Sequence, residues 1–251
     1  MRMVLSLALT LCVTSPGFGE EVKVYAAAAV KSPFVKLAED YQKATGHRVV
    51  FVFDTAGATE QKFRADPSAA LLVTTETLIA ERLKSGMLKN GTNRRLGATF
   101  AALAVPPGSA KPDISTSATL KAALVAAPRI AFSDPARGAT VGTHFTKVIE
   151  ALGIKDEVLR KATVAPDGVE TMRLVLENKV DLGVSQMSEI VQANRNALVG
   201  PFPGEFDLTT TFSFWHRADV SPAVRDFVAL ITSPAGQARL AAEGFRPAGE
   251  P

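Results

Sequence analysis

Cysteine is nearly absent. The 251 residues hold one, Cys12, and it sits in an N-terminal stretch read below as a leader. A chain without that stretch has no thiol and no disulfide, which excludes thiol catalysis. Histidine is almost as scarce. His47, His144 and His216 are far apart and lack ligand spacing, so no metal site is expected. There are only one tryptophan and two tyrosines, and lysine and arginine are scattered rather than blocked. Nucleic acid is therefore not an expected partner. Enzyme signatures are missing too: no G-x-S-x-G, no Walker loop and no H-E-x-x-H. No cofactor is expected. The apolar run Val4–Val13 is too short to span a bilayer, and no other run is long and charge-free enough to do so.

What the N-terminus does have is the anatomy of a leader. Arg2 supplies a positive start and Val4–Val13 an apolar centre. Ser15-Pro-Gly-Phe-Gly19 is a small-residue cleavage region, with Gly17 and Gly19 at its −3 and −1 positions. The pattern predicts a signal peptide over residues 1–19, cleavage before Glu20 and a periplasmic protein. Leu11 makes Cys12 a poor lipid-attachment site. The remaining chain is 47% hydrophobic against 21% charged overall, enough to build a core. Its mild positive charge is compatible with a small anionic ligand but does not show one.

The mature stretch alternates strands and helices. Val22–Val30 opens as a strand. Ser32 suits an N-cap and Pro33 a first helical position. Phe34, Leu37, Ala38 and Tyr41 then repeat at helical spacing until Gly46. Arg48–Phe53 is rich in Val and Phe and reads as a buried strand. Leu71–Val73 is strand, Leu78–Leu83 helix and Ala98–Val105 strand, the last stopped by Pro106-Pro107-Gly108. Beyond it the pattern predicts helices at Ala118–Ala126, Thr143–Leu152, Val169–Leu176, Pro222–Leu230 and Pro234–Ala242. Strands are predicted at Arg129–Phe132, Leu182–Val184 and Phe212–Trp215. This order is that of an α/β protein whose sheets are mainly parallel and flanked by helices.

In such sheets ligands bind beyond the carboxyl ends of the strands. Four loops of small residues fall there: Ala26–Ser32, Asp54–Thr59, Ala136–Thr143 and Pro166–Glu170. Each can aim backbone N–H groups and a helix N-terminus at one place, which holds an anion without a basic side chain. Asp167 and Glu170 have capping-box spacing, which marks the fourth loop as a helix start.

Val24-Tyr-Ala-Ala-Ala-Ala29, Val50-Phe-Val-Phe53, Arg129-Ile-Ala-Phe-Ser-Asp-Pro-Ala136, Leu182-Gly-Val184 and the tail Ser233-Pro234…Gly244-Phe245 carry a resemblance. In order and spacing they resemble the two-lobed periplasmic solute-binding proteins of ABC importers, and within these the molybdate-binding branch. The resemblance spans essentially the whole mature chain. It implies two lobes joined by two crossing segments, near Ala98–Val105 and Phe206–Phe212, with ligand trapped between them. The implied division is residues 1–19 as signal peptide, 20–100 plus 209–251 as lobe 1, and 101–208 as lobe 2. The implied partners are a small anion and an ABC transporter permease, and the implied state is a monomer.

The ligand positions depart from the branch. Its two oxyanion serines match Ala29 and Ala56, and its late tyrosine matches Gln186. Backbone donors at Val30, Ala139–Thr140 and Val169 survive, since any residue keeps its N–H. Thr55, Thr59, Thr140 and Thr143 offer hydroxyls at shifted places. Losing two donors leaves a desolvated dianion short by roughly 1–3 kcal/mol each. The resemblance therefore implies an organic carboxylate, or an oxyanion other than classical molybdate. Arg137, in Pro135-Ala-Arg-Gly-Ala-Thr-Val-Gly-Thr143, either clamps a carboxylate or is a solvated loop arginine. Lys62 and Arg64 read as a solvated helix face. The family resembled here also includes a periplasmic isomerase of aconitate, a small tricarboxylate. That alternative needs a proton shuttle, for which His144 and Glu170 are the candidates.

Overall fold

Residues 19–248 are described in the computed structural model of the chain. The expected leader, apart from Gly19, lies outside the described residues. The chain opens with β1 (Glu21–Ala27), a 3-10 turn at Ala28–Val30, and α1 (Lys31–Thr45). It continues through β2 (Arg48–Asp54), α2 (Ala56–Ala65), β3 (Leu71–Thr75) and α3 (Glu76–Lys84) to the long β4 (Gly91–Ala104). Then come α4 (Ser117–Ala126), β5 (Ile130–Ser133), α5 (Thr140–Ala151), α6 (Lys155–Arg160), β6 (Ala162–Ala165) and α7 (Gly168–Leu176). The last third holds β7 (Leu182–Gln186), α8 (Met187–Asn194), β8 (Leu198–Pro201), β9 (Thr209–Arg217), α9 (Pro222–Thr232), α10 (Pro234–Ala242) and the two-residue β10 (Arg246–Pro247).

The strands run in the order β2-β1-β3-β9-β4-β7-β5-β6, with β8 and β10 also on β4. β1 pairs parallel with β2 and β3, and β5 parallel with β6 and β7. Parallel neighbours need a crossover, and the helices between them supply it. β4 is shared: Gly91–Phe100 pairs antiparallel with β9, and Ala101–Ala104 with β7. The fold is thus α/β, with mixed sheets flanked by helices.

Four apolar clusters hold it together. On one side of β4, Val22, Val24 and Ala26 pack with Phe34, Leu37 and Tyr41 of α1 and with Phe227 of α9. The opposite face of those strands carries Tyr25, Phe63, Leu72 and Trp215. Beyond β4, Phe132, Phe145 and Phe202 centre one cluster, and Met172, Val175 and Ile190 another. Each set of strands is therefore covered on both faces, as buried parallel strands require.

The apolar repeat expected for α1 is borne out, because Phe34, Leu37, Ala38 and Tyr41 are all buried. Its start differs. Ser32 is not the cap: the small residues after β1 wind into the 3-10 turn, and Val30 takes the cap position without a side-chain bond. Ser32 instead gives its N–H to Gln192 Oε1, 2.9 Å away. β2 is a sheet edge rather than a buried strand, and six of its seven residues keep some exposure. α5 begins at Thr140, three residues early, and β4 starts at Gly91 rather than Ala98. α6, β6, α8 and β8 had no reading in the sequence.

Candidate functional site

All four small-residue loops converge, and a fifth segment joins them. A cavity of about 30 Å³ is lined by Ala27–Ala29 after β1, Asp54–Ala56 after β2, and Ser133 and Ala139–Val141 around the start of α5. Gly168, Gln186, Glu189 and Phe212 complete it. α2, α5, α7 and α8 start at this cavity, so four helix N-termini and the 3-10 turn give it a positive field. Among the described residues no lysine or arginine lines it. Its two ionisable residues are acids, Asp54 and Glu189.

Asp54 is neutralised. Lys62 Nζ lies 2.6 Å from Oδ2, and Arg137 Nη2 reaches Oδ1 and Oδ2 at 2.9 and 3.0 Å. Burial alone pushes this carboxyl up. The bonds from Lys62, the Thr55 N–H and Arg137 outweigh it and hold Asp54 below its ordinary range. Arg137 also gives its Nε–H to the Pro166 carbonyl at 3.0 Å. So its guanidinium ties the loop after β5 to the ends of β2 and β6.

Backbone contacts shut the same place. Thr55 caps α2, and its hydroxyl donates to the Arg137 carbonyl. The Gly57 N–H donates to the Gly138 carbonyl at 3.2 Å. A Cβ added at Gly57 would come within 2.9 Å of the Gly138 Cα, and Gly138 holds φ at 72°. Only glycine fits such an approach at such an angle.

Among the described residues Glu189 has no cation partner. Its Oε2 accepts from the Ser185 hydroxyl and, at 3.2 Å, from the Gln186 N–H. The carboxyl lies against the start of α7, where a Cβ on Gly168 would sit 2.0 Å from Oε2. Burial of the carboxyl pushes Glu189 up to about 7, against the opposing pull of the Ser185 and Gln186 bonds, with Asp167 adding to the rise.

The expected ligand residues divide. Ala29, Thr55, Ala56, Thr140 and Gln186 line the cavity. Val30 is fully buried behind it. Val169 lies one step outside, at an apolar groove of about 480 Å³ between α1, α7 and α8, which Glu189 also lines. Thr143 and His144 line a wider groove of about 710 Å³ on the far side of the Gly57–Gly138 contact. There His144 Nε2 lies 2.8 Å from the Phe206 carbonyl. Glu170 turns from the cavity to Arg173, whose bond holds it below its ordinary range. Asp167 caps α7, accepting the Glu170 N–H at 2.8 Å. Lys62 is not a bare solvated residue, since it neutralises Asp54; Arg64 pairs with Glu60. Glu189 was missed because α8 carries it, and no Ser, Thr, Asp or Asn announces that helix.

Comparison with known proteins gives consistent likenesses. The chain matches the bacterial extracellular solute-binding protein family over residues 22–246. It is 25% identical over 184 residues to an aconitate isomerase of a Pseudomonas species, covering 71% of this chain and 68% of that protein. The fold is similar to the periplasmic molybdate-binding protein of Azotobacter vinelandii, with TM-score 0.70, 19% identity, and 89% and 98% of the two chains covered. It is also similar to a sulfate-binding protein of Mycobacterium tuberculosis, with TM-score 0.67, 15% identity, and 92% and 88% covered.

Proposed function

We propose, because the chain belongs to the bacterial extracellular solute-binding protein family, that it captures a small anion between two lobes and delivers it to an ABC importer. The lobes are residues 20–100 plus 209–251 and residues 101–208, with β4 and the return into β9 as the crossings. The ligand is an organic carboxylate or an oxyanion other than molybdate. It meets Ala29, Thr55, Ala56, Thr140 and Gln186, with the N–H groups of Val30 and Val169 behind and beside them. Thr143 and Arg137 sit at the margin, Arg137 as a tie to Asp54. The protein is a periplasmic monomer, released by cleavage near Glu20, which mass spectrometry of the periplasmic fraction checks.

One observation carries this reading: helix N-termini from both sides of β4 meet at a cavity that no basic side chain lines. A thermal-shift screen of oxyanions and of di- and tricarboxylates tests it, since a ligand bound only by the native state raises Tm. No shift with any of these anions overturns it. Isomerisation of a small tricarboxylate such as aconitate is a second reading, favoured by the sequence likeness to a Pseudomonas aconitate isomerase. An NMR time course with cis- and trans-aconitate separates the two. Signals of the other isomer would establish turnover, and unchanged substrate would leave the binding protein.

A further inference from the structure

The cavity holds one ionisable group that no cation answers among the described residues. Glu189 lines both the cavity and the neighbouring groove, so it stands on the wall between them. Asp167, at the start of α7, is an acid and opposes ionisation. Asp54, across the cavity after β2, is already matched by Lys62 and Arg137. On α1, Lys31 and Glu39 line only the outer groove, and Lys36 there pairs with Glu243 at 2.5 Å. An ionised Glu189 would thus stand beside a bound anion without compensation.

The two carboxyl oxygens are not equivalent. Both hydrogen bonds from the protein, from Ser185 and from the Gln186 N–H, fall on Oε2. Oε2 therefore acts as the carbonyl oxygen, and the hydrogen of a neutral carboxyl belongs on Oε1. Among the described residues nothing accepts from Oε1. A second polar group at the cavity is also incomplete. Gln186 is 5% exposed, its amide nitrogen donates to Thr210 at 3.1 Å, and its buried amide oxygen faces the Glu189 N–H in the capping box of α8 without a well-formed hydrogen bond. Such groups are costly unless a ligand or water completes them.

We propose that Glu189 enters the anion complex as a neutral acid, its Oε1–H donating to a ligand oxygen, so that the site captures one anion together with one proton. The inference rests on the anion-binding reading above and deepens it. It replaces His144 and Glu170, which face elsewhere, as the titrating group of the cleft. The near-neutral range of Glu189 in the free protein agrees with it. A bound anion favours the protonated form further, so binding above neutrality draws a proton from solvent. Affinity then falls as pH rises through 7 and beyond, approaching tenfold per pH unit, and is flat in acid below about 6.

The test is calorimetry with trans-aconitate, using sulfate as a probe that does not itself titrate, from pH 5.5 to 8.5. Wild type should show the slope. Titrations at pH 8 in buffers of different ionisation heat should show uptake of close to one proton. Glu189→Gln keeps a donor and an acceptor but cannot titrate. It should bind at pH 6 within a few-fold of wild type, lose the extra slope, and bind more tightly than wild type at pH 8.5. Gly168→Ala should weaken the slope, because the three atoms nearest its Cβ all belong to the Glu189 carboxyl, which must move. Equal slopes in wild type and Glu189→Gln, or no proton uptake by wild type, would overturn the proposal and leave anion binding standing. Failure of both probes and of every anion in the screen would overturn the anion reading itself.

Discussion

Arg137 shows what one residue reveals and hides. Its place in a small-residue loop beside the cleft could be read from the sequence. Its partner, Asp54, is 83 positions away and reaches it only through the fold. Arg137→Ala should therefore act on the tie between the loops before it acts on any ligand. The arginine is 43% exposed, so screening limits the stability cost to about 1 kcal/mol. Urea unfolding checks this, and a loss beyond about 3 kcal/mol would assign it a larger role. The sign with pH follows from Asp54. Its folded value lies below the ordinary 3.8, so its contribution is complete above that value and is lost as pH falls through the folded one. Asp54→Asn should destabilise at pH 7, and the gap to wild type should close in acid. The two alanines at the cavity give an opposite kind of test. Ala29 and Ala56 are 3% and 8% exposed, so hydroxyls there would face the cavity. Wild type should bind molybdate weakly or not at all. Ala29→Ser with Ala56→Ser should improve it by about 0.5–1.5 kcal/mol per hydroxyl, read by calorimetry. Submicromolar binding by wild type would mean that backbone donors suffice.

Elements were legible where burial follows a period. Phe34, Leu37, Ala38 and Tyr41 mark α1 because that helix buries one stripe. Pro234–Ala242 is α10 to the residue, with Ser233 capping it and Pro234 opening it. β2 misled because its Val and Phe residues suggest full burial, whereas it is the edge strand of its sheet: Val49, Phe51 and Phe53 pack on one face and Val52 on the other, and all stay only partly buried. α8 was invisible for a different reason. It has eight residues, follows β7 without a break, and has Gln186 at its cap. The group that titrates near neutrality in the cavity was lost with it, while the loops that frame the cavity were found from their small residues. The contact of α2 with the loop before α5 makes its own prediction. Gly138→Val puts a β-branched side chain at φ 72° and against Gly57. It should cost at least about 1 kcal/mol of stability and hold the cleft apart. Small-angle scattering should then show a larger radius of gyration than wild type, and an unchanged radius would place the hinge elsewhere.

At the scale of the molecule, β4 is the joint. Its first ten residues belong to one set of strands and its last four to the other, and each set has its own apolar clusters. Between the two sets lie mostly polar ties: Asp54 to Arg137, Thr55 to the Arg137 carbonyl, Gly57 to Gly138, and Ser32 and Ala29 to Gln192. Polar contacts of this kind, partly open to water, are worth little each, so if the two sets are the proposed lobes, few kcal/mol would separate this form from an open one. A fold with a rigid joint and weak ties is one that a ligand can shift, provided it binds the shut form better. Asp54→Asn removes the strongest of the ties and leaves β4 and both core faces intact. In scattering without added ligand it should be more expanded than wild type, and a saturating anion should restore the wild-type radius. The same anion at a hundred times its Kd should add about 2.7 kcal/mol to wild-type stability, which for a chain of this size raises Tm by roughly 5–11 °C. In the variant the gain should be smaller, because part of the binding energy goes to closing the cleft. Equal gains in the two proteins, with no difference in radius, would mean that the ties do not govern closure and that the lobes are held by β4 and β9 alone.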